Sequence, residues 1–197
     1  MARPREFDTE EAIKRATEVF WEKGYQEARL PDLLEGMGLT RGSLYKAFSD
    51  KKTLYLLVLA QYDKEAVGAA KQRLTDVTVP DGRDRILGLF QAVSDRVAAG
   101  DTRGCLLCSA AAGFEMSDPE IAAAVAHGLG GIRDALEAAL HSSTVHAEWP
   151  HEALRALANT LLTQYIGLRV LARSRVSLGV VEQSKDNVAR LLDGAGG

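Results

Sequence analysis

Apolar residues recur along almost the whole chain at intervals of three and four, and no stretch alternates apolar with polar residues between two tight turns. A period near 3.6 gathers such positions on one face of a helix, whereas a strand needs a period of two. The fold class is therefore all-α. With 197 residues, 46% of them hydrophobic, the chain can bury a core without covalent staples. Two cysteines, Cys105 and Cys108, are too few for a secreted disulfide scaffold and suit a reducing compartment. The first twenty residues are rich in charge and hold no signal-like apolar run, and charges or glycines interrupt every hydrophobic stretch before a membrane span is reached. These features predict a cytoplasmic protein with no membrane partner.

Turn and cap signals divide the chain. A first helix should open at Asp8 or Thr9, with Asp8 and Glu11 as a capping-box-like pair, and close at Gly24. A second fits 30–37, with Pro31 in its first turn and Gly38 as the turn residue. A third runs over 40–48, and a fourth, capped by Asp50, runs without interruption toward Leu74. Residues 75–82 read as a connector, followed by helices near 83–99, 104–114, 118–140, 150–174 and 177–193.

The short third helix carries the strongest functional signal. In "LTRGSLYKAF" (39–48), Leu44 and Phe48 have a core to reach, while Arg41, Gly42, Ser43, Tyr45 and Lys46 project elsewhere. Two short helices joined by a glycine turn and braced by a preceding helix form a helix-turn-helix, whose second helix can enter a DNA major groove. Thr40 would cap that helix and aim its N-terminal N–H groups at phosphate. Arg41 has the planar fork that matches guanine O6 and N7, and Lys46 can reach a base edge or a phosphate. Ser43 and Tyr45 offer hydroxyls to phosphate oxygens, and Lys51 and Lys52 add point charges. Gly42 costs about 1 kcal/mol of helix propensity, a loss that makes sense where backbone must approach DNA. The net charge of -3 hides an asymmetry: residues 38–52 hold four bases and one acid, net +3, whereas 53–197 hold fourteen bases and seventeen acids, net -3. A basic arm, Ala2 to Arg5, could lie along the minor groove.

These segments resemble the TetR family of bacterial transcriptional regulators: "AIKRATEVFWEKGY" as helix one, "LPDLLEGMG" as helix two, "LTRGSLYKAF" as the recognition helix and "DKKTLY" opening helix four. The resemblance implies a DNA-binding domain over 1–50 and a helical effector-binding and dimerisation domain over 51–197. It implies a homodimer on an inverted-repeat operator, repressing by default and released by a small-molecule effector. By motif position it assigns DNA contacts to Thr40, Arg41, Gly42, Ser43, Tyr45, Lys46 and Lys51. Arg29 stands where the family commonly has a phosphate-contacting Thr, and takes that role.

In the C-terminal part, the apolar surface of 150–174 (Leu154, Leu157, Ala158, Leu161, Leu162, Tyr165, Ile166, Leu168, Ala172) is wider than one core-facing stripe requires, and with the helix at 177–193 it predicts a four-helix dimer interface. Phe90, Cys105, Cys108, Phe114 and Tyr165 are candidate lining of an effector pocket. In "GCLLCSAA" (104–111), Cys105 is expected in a helical first turn, where the dipole favours thiolate, with Cys108 on the same face. The pair could sense oxidants or electrophiles. An alternative is a thiol or redox-active helical protein built on those two residues; no catalytic constellation accompanies them, and a regulator rather than an enzyme is expected. No cofactor or metal motif is recognised. His141, His146 and His151 recur every five residues across a loop and a helix start, without a shared face, and are read as surface histidines.

Overall fold

The computed structural model describes residues 7–175 and 177–194. Among them every regular element is helical: α1 (Thr9–Glu27), α2 (Leu30–Met37), α3 (Arg41–Phe48), α4 (Lys51–Tyr62), α5 (Gly68–Thr75), α6 (Gly82–Ala98), α7 (Leu106–Ala111), α8 (Pro119–His141), α9 (His151–Arg173) and α10 (Leu178–Leu192). A single 3₁₀ turn, Phe114–Ser117, leads into α8. The basic arm at Ala2 to Arg5 lies outside the described residues.

Local chemistry sets most boundaries. Asp8 caps α1 by accepting from the N–H groups of Glu10 and Glu11, while the Glu11 carboxylate turns to Arg15 at 3.0 Å instead of closing a capping box. Helical geometry breaks at Gly24, with φ of 78°, and the chain resumes one short turn to Glu27. That break swings Tyr25 onto Phe20 and Tyr55, with ring centroids 6.2 and 4.6 Å away, so α1 closes on α4 through an aromatic cluster.

The fourth helix is interrupted. Its buried positions run Leu54, Val58, Tyr62 and then Val67, Ala70, Leu74. The step of five at Tyr62 to Val67 exceeds what an α-helix can keep on one face, and a π-helical segment, Asp63–Val67, absorbs the extra residue. Tyr62 thereby stays inward together with the residues that follow.

In the body, α8 and α9 form an antiparallel hairpin, with α5 and α6 against α8 and α10 across α6 and α9. Gly82 touches α8 so closely that a Cβ there would stand 1.7 Å from the Ala139 carbonyl oxygen. The buried Arg85 guanidinium donates to Val79 O, Pro80 O, Leu74 O and Ser142 Oγ, which fixes the 75–82 connector by satisfying its carbonyls. No described helix is long and apolar enough to cross a membrane.

Candidate nucleic-acid interface and buried thiol centre

The α2–α3 corner is built by Gly38. Its φ of 66° puts it in the left-handed region, where it ends α2 while its N–H and that of Leu39 return to the last carbonyls of the helix. Thr40 then caps α3, its Oγ1 accepting from Ser43 N at 3.2 Å. Leu44 and Phe48 are each 1% exposed and anchor α3 to the head, with Phe48 6.4 Å from the Phe7 ring. Opposite them Arg41, Gly42, Tyr45 and Lys46 face solvent and Ser43 is half-buried. The Arg41 guanidinium lies over the Tyr45 ring, 5.9 Å from its centroid, as a loose stack.

Among the described residues nothing approaches within 4 Å of where a Gly42 Cβ would stand, so their packing does not demand glycine there. The flanking positions differ. Arg29 is exposed at the start of α2. Lys51 folds back onto the end of α1, donating to Gln26 O at 3.3 Å and lying 4.8 Å over the Tyr25 ring; its partial burial pulls its pKa below the usual lysine range. Lys52 is an ion-pair partner of Asp118, at 2.7 Å, and of Glu120, so it ties α4 to the start of α8.

A second constellation lies between α4, α7 and α9. Gly104, with φ of 75°, packs so tightly that a Cβ would be 2.8 Å from Arg169 O. Only glycine fits, and it delivers Cys105 as the N-cap of α7, not into its first turn as the sequence suggests. Cys108 occupies that turn. The Cys108 thiol, the Arg169 guanidinium and the Tyr62 hydroxyl lie beside the Cys105 thiol. Together they hold the thiol below the ordinary cysteine range against the opposing effect of burial. Cys108 is pushed the other way by the neighbouring Cys105 thiol and by burial. Arg169 is 6% exposed, donates to Gly104 O and, at 3.4 Å, to Tyr62 Oη, and leaves its Nε without a partner.

Two hollows meet at this centre. One, of about 110 Å³, is lined by Tyr62, Cys105, Tyr165, Arg169, Arg96 and Arg73 among others. The other, an open groove of about 370 Å³, is lined by Cys105, Cys108, Phe114 and Arg173 among others. Of the pocket candidates, Cys105 joins Tyr165 in the first and Cys108 and Phe114 in the second. Phe114 is 88% exposed at the rim, and Phe90 is core, edge-on to Tyr165 at 5.9 Å. Sequence reasoning did not single out Tyr62 or Arg169. Their burial depends on the π segment and on α9 packing, neither of which leaves a local motif.

A helix-turn-helix with a solvent-facing basic second helix, carried on a larger all-α body, is the plan of a transcription regulator. Residues 12–58 match the family profile described as bacterial regulatory proteins, tetR family. The chain is 34% identical over 127 residues to the HTH-type transcriptional regulator YezE of Bacillus subtilis (strain 168), covering 62% of each protein. It is 30% identical over 125 residues to the HTH-type transcriptional activator FasR of Mycolicibacterium smegmatis, covering 62% of this chain and 53% of FasR. The match thus spans less than two thirds of these relatives. Among solved structures, a cysteine-substituted TetR-family regulator CifR in complex with 26-bp double-strand operator DNA superposes with a TM-score of 0.83 at 27% identity, covering 95% of this chain and 98% of that one. Reduced NemR of E. coli, 22% identical with a TM-score of 0.75 over 91% of this chain and 93% of its own, shares the fold. The chain belongs to the TetR family of transcriptional regulators.

Proposed function

We propose that this regulator acts in the cytoplasm as a homodimeric repressor of an inverted-repeat operator, with 1–50 as the reading head and 51–197 as the effector-binding and dimerisation body. The observation that carries the reading is α3: two side chains at 1% exposure anchor it, and the opposite face offers Arg41, Gly42, Tyr45 and Lys46 to solvent. Arg41 reads a base edge, Lys46 a base edge or phosphate, and the Gly42 gap admits the DNA backbone. Thr40, Ser43, Arg29 and Lys51 serve the phosphates, Lys51 by releasing its contact with Gln26 O.

Dimerisation rests on α9 and α10, with most of the broad apolar face of α9 turned inward and Leu162 and Ile166 half-buried. Leu154, Leu157, Ala158, Leu161, Tyr165, Leu168 and Ala172 are buried within the chain. The outward face of α9 instead carries exposed Ala156, Thr160, Thr163, Gly167 and Val170 at alternating steps of four and three, the spacing of a helix seam. Small residues let two such helices approach closely. Val170, 50% exposed, and Leu178 and Val180 on α10, 36% and 41% exposed, supply apolar area.

Release follows from a small molecule, or from modification of Cys105, in the α4–α7–α9 centre. The route to the head is short. Arg173 on α9 donates to Trp21 O at 2.9 Å and to Arg103 O at 3.1 Å, and Trp21 Nε1 also donates to Arg103 O at 3.1 Å. Enlarging Cys105 displaces Gly104 and the neighbouring Arg103, and with them α1. The test is binding to the DNA upstream of the regulator's own gene before and after a thiol-directed oxidant. The wild type is released and Cys105→Ser retains the operator. Equal release of both removes the thiol from the mechanism.

A further inference from the structure

Of the three histidines spaced every five residues, the fold turns one inward and two outward. His146 is fully buried, a correction to its reading as a surface residue. Its Nδ1 lies 2.9 Å from Ser143 Oγ and its ring packs edge-on against Trp149, with centroids 4.8 Å apart. Backbone bonds from His146 N to Ser143 O and from Trp149 N to His146 O fold the α8–α9 loop onto this plug. The loop thereby returns the chain so that His151, the first residue of α9, faces His141, the last of α8. Their rings are 6.0 Å apart and 19° from parallel. Glu137, one turn before His141 on the same face of α8, completes the group, with its Oε1 3.3 Å from His151 Nδ1.

We infer that Glu137, His141 and His151 form a binding site for a divalent transition-metal ion of the zinc class. One ligand atom from each lies within 4.8 Å of the other two. Donors sharing a zinc ion at about 2.0–2.2 Å stand roughly 3.3–4 Å apart, so side-chain rotation alone closes the set. Two imidazoles and a carboxylate suit zinc, nickel or cobalt, whereas magnesium and calcium ask for all-oxygen cages. Three protein ligands leave a fourth tetrahedral position for water.

The geometry is that of an accessible but backed site. Glu137 has a side chain only 14% exposed and forms the floor, while His151, 64% exposed, leaves the ion a path from solvent. The site bridges the last residue of α8 and the first of α9, two helices that already pack along their length, so an ion there staples the loop end of the hairpin. It is remote from the reading head. The opposite end of α8, 23 residues and thus about 34 Å away, is where Asp118 meets Lys52. The inference therefore stands independently of how α3 binds DNA or what Cys105 senses.

The experiment uses the full chain without an affinity tag, carrying Cys105→Ser and Cys108→Ser so that thiolates supply no competing site. Calorimetric titration with zinc chloride is expected to show one ion per chain and a rise in Tm at saturation. His141→Ala, His151→Ala and Glu137→Gln should each weaken binding by ~10-fold or more and abolish the Tm rise. All three are surface-facing or half-buried, and circular dichroism verifies that each variant keeps its helices. His127→Ala, on α8 beside Asp63, should bind zinc as the parent does. Absence of binding, or full affinity in the His141 and His151 variants, overturns the assignment.

Discussion

Phe48→Ala is expected to lower the stability of the N-terminal head by ~3–5 kcal/mol, the usual cost of emptying a buried aromatic site. Phe48 is 1% exposed, meets Phe7 and closes the last turn of α3 just before the Ser49 corner, where φ reaches 61°. Alanine leaves a cavity that this corner cannot collapse into, because Asp50 is already committed as the cap of α4, accepting from Thr53 N at 2.7 Å. Every side chain proposed to touch DNA remains in place in this variant. Urea unfolding should show an early transition of the head, and operator affinity should fall with it. Exposed Ala47→Ser serves as the control, with a change within about 0.5 kcal/mol. A Phe48→Ala loss under about 1 kcal/mol would mean that α3 is held by something other than its apolar face.

The second large effect concerns sequence reading. Arg41→Ala should reduce discrimination between the operator and single-base variants by ~1–3 kcal/mol per half-site, and by about twice that on a symmetric site, since both protomers lose the contact. Arg41 is exposed and its only described neighbour is the Tyr45 ring, so its removal leaves no buried group unsatisfied and the fold should be unaffected. Affinity for unrelated duplex should change far less, by the share of one phosphate-range charge. Equal losses on operator and unrelated DNA would recast Arg41 as a backbone contact. No loss on either would place the reading face elsewhere on the head.

Much of this was legible in the chain because it is written locally. Asp8, Gly38, Thr40 and Asp50 are caps and turn residues whose effect reaches only a few positions, and the α2–Gly38–α3 unit follows from them directly. What could not be read depends on residues far apart in sequence. Lys51 and Lys52 look like free charges at a helix start, yet their partners are Gln26, Asp118 and Glu120, which only the tertiary fold brings near. The step from Tyr62 to Val67 leaves no mark in the sequence, because Ala66 supplies an apolar residue at the ordinary step of four; a smooth helix to Leu74 fits until burial shows Val67 inward and Ala66 only half-buried. The sequence suggests Cys105 one position too far into α7, because the left-handed Gly104 delays the helix start. On α9 most of the broad apolar surface is inward core, with Leu162 and Ile166 half-buried, while the outward face consists of small residues that carry little hydrophobic signal. The histidines read as unrelated surface residues for a related reason: a loop of nine residues between α8 and α9 folds back on the His146 plug and brings His141 to His151, and nothing in a five-residue repeat announces that.

The central claim, that α3 reads duplex DNA from a dimer, is tested most directly by titrating salt against binding to the DNA upstream of the regulator's own gene. A dimer neutralising several phosphates in each half-site predicts a straight fall of log affinity against log salt concentration, with a slope of roughly -0.9 per phosphate contact, and protection of two inverted half-sites about one helical turn apart. Affinity indifferent to salt, or binding without paired half-sites, would contradict it.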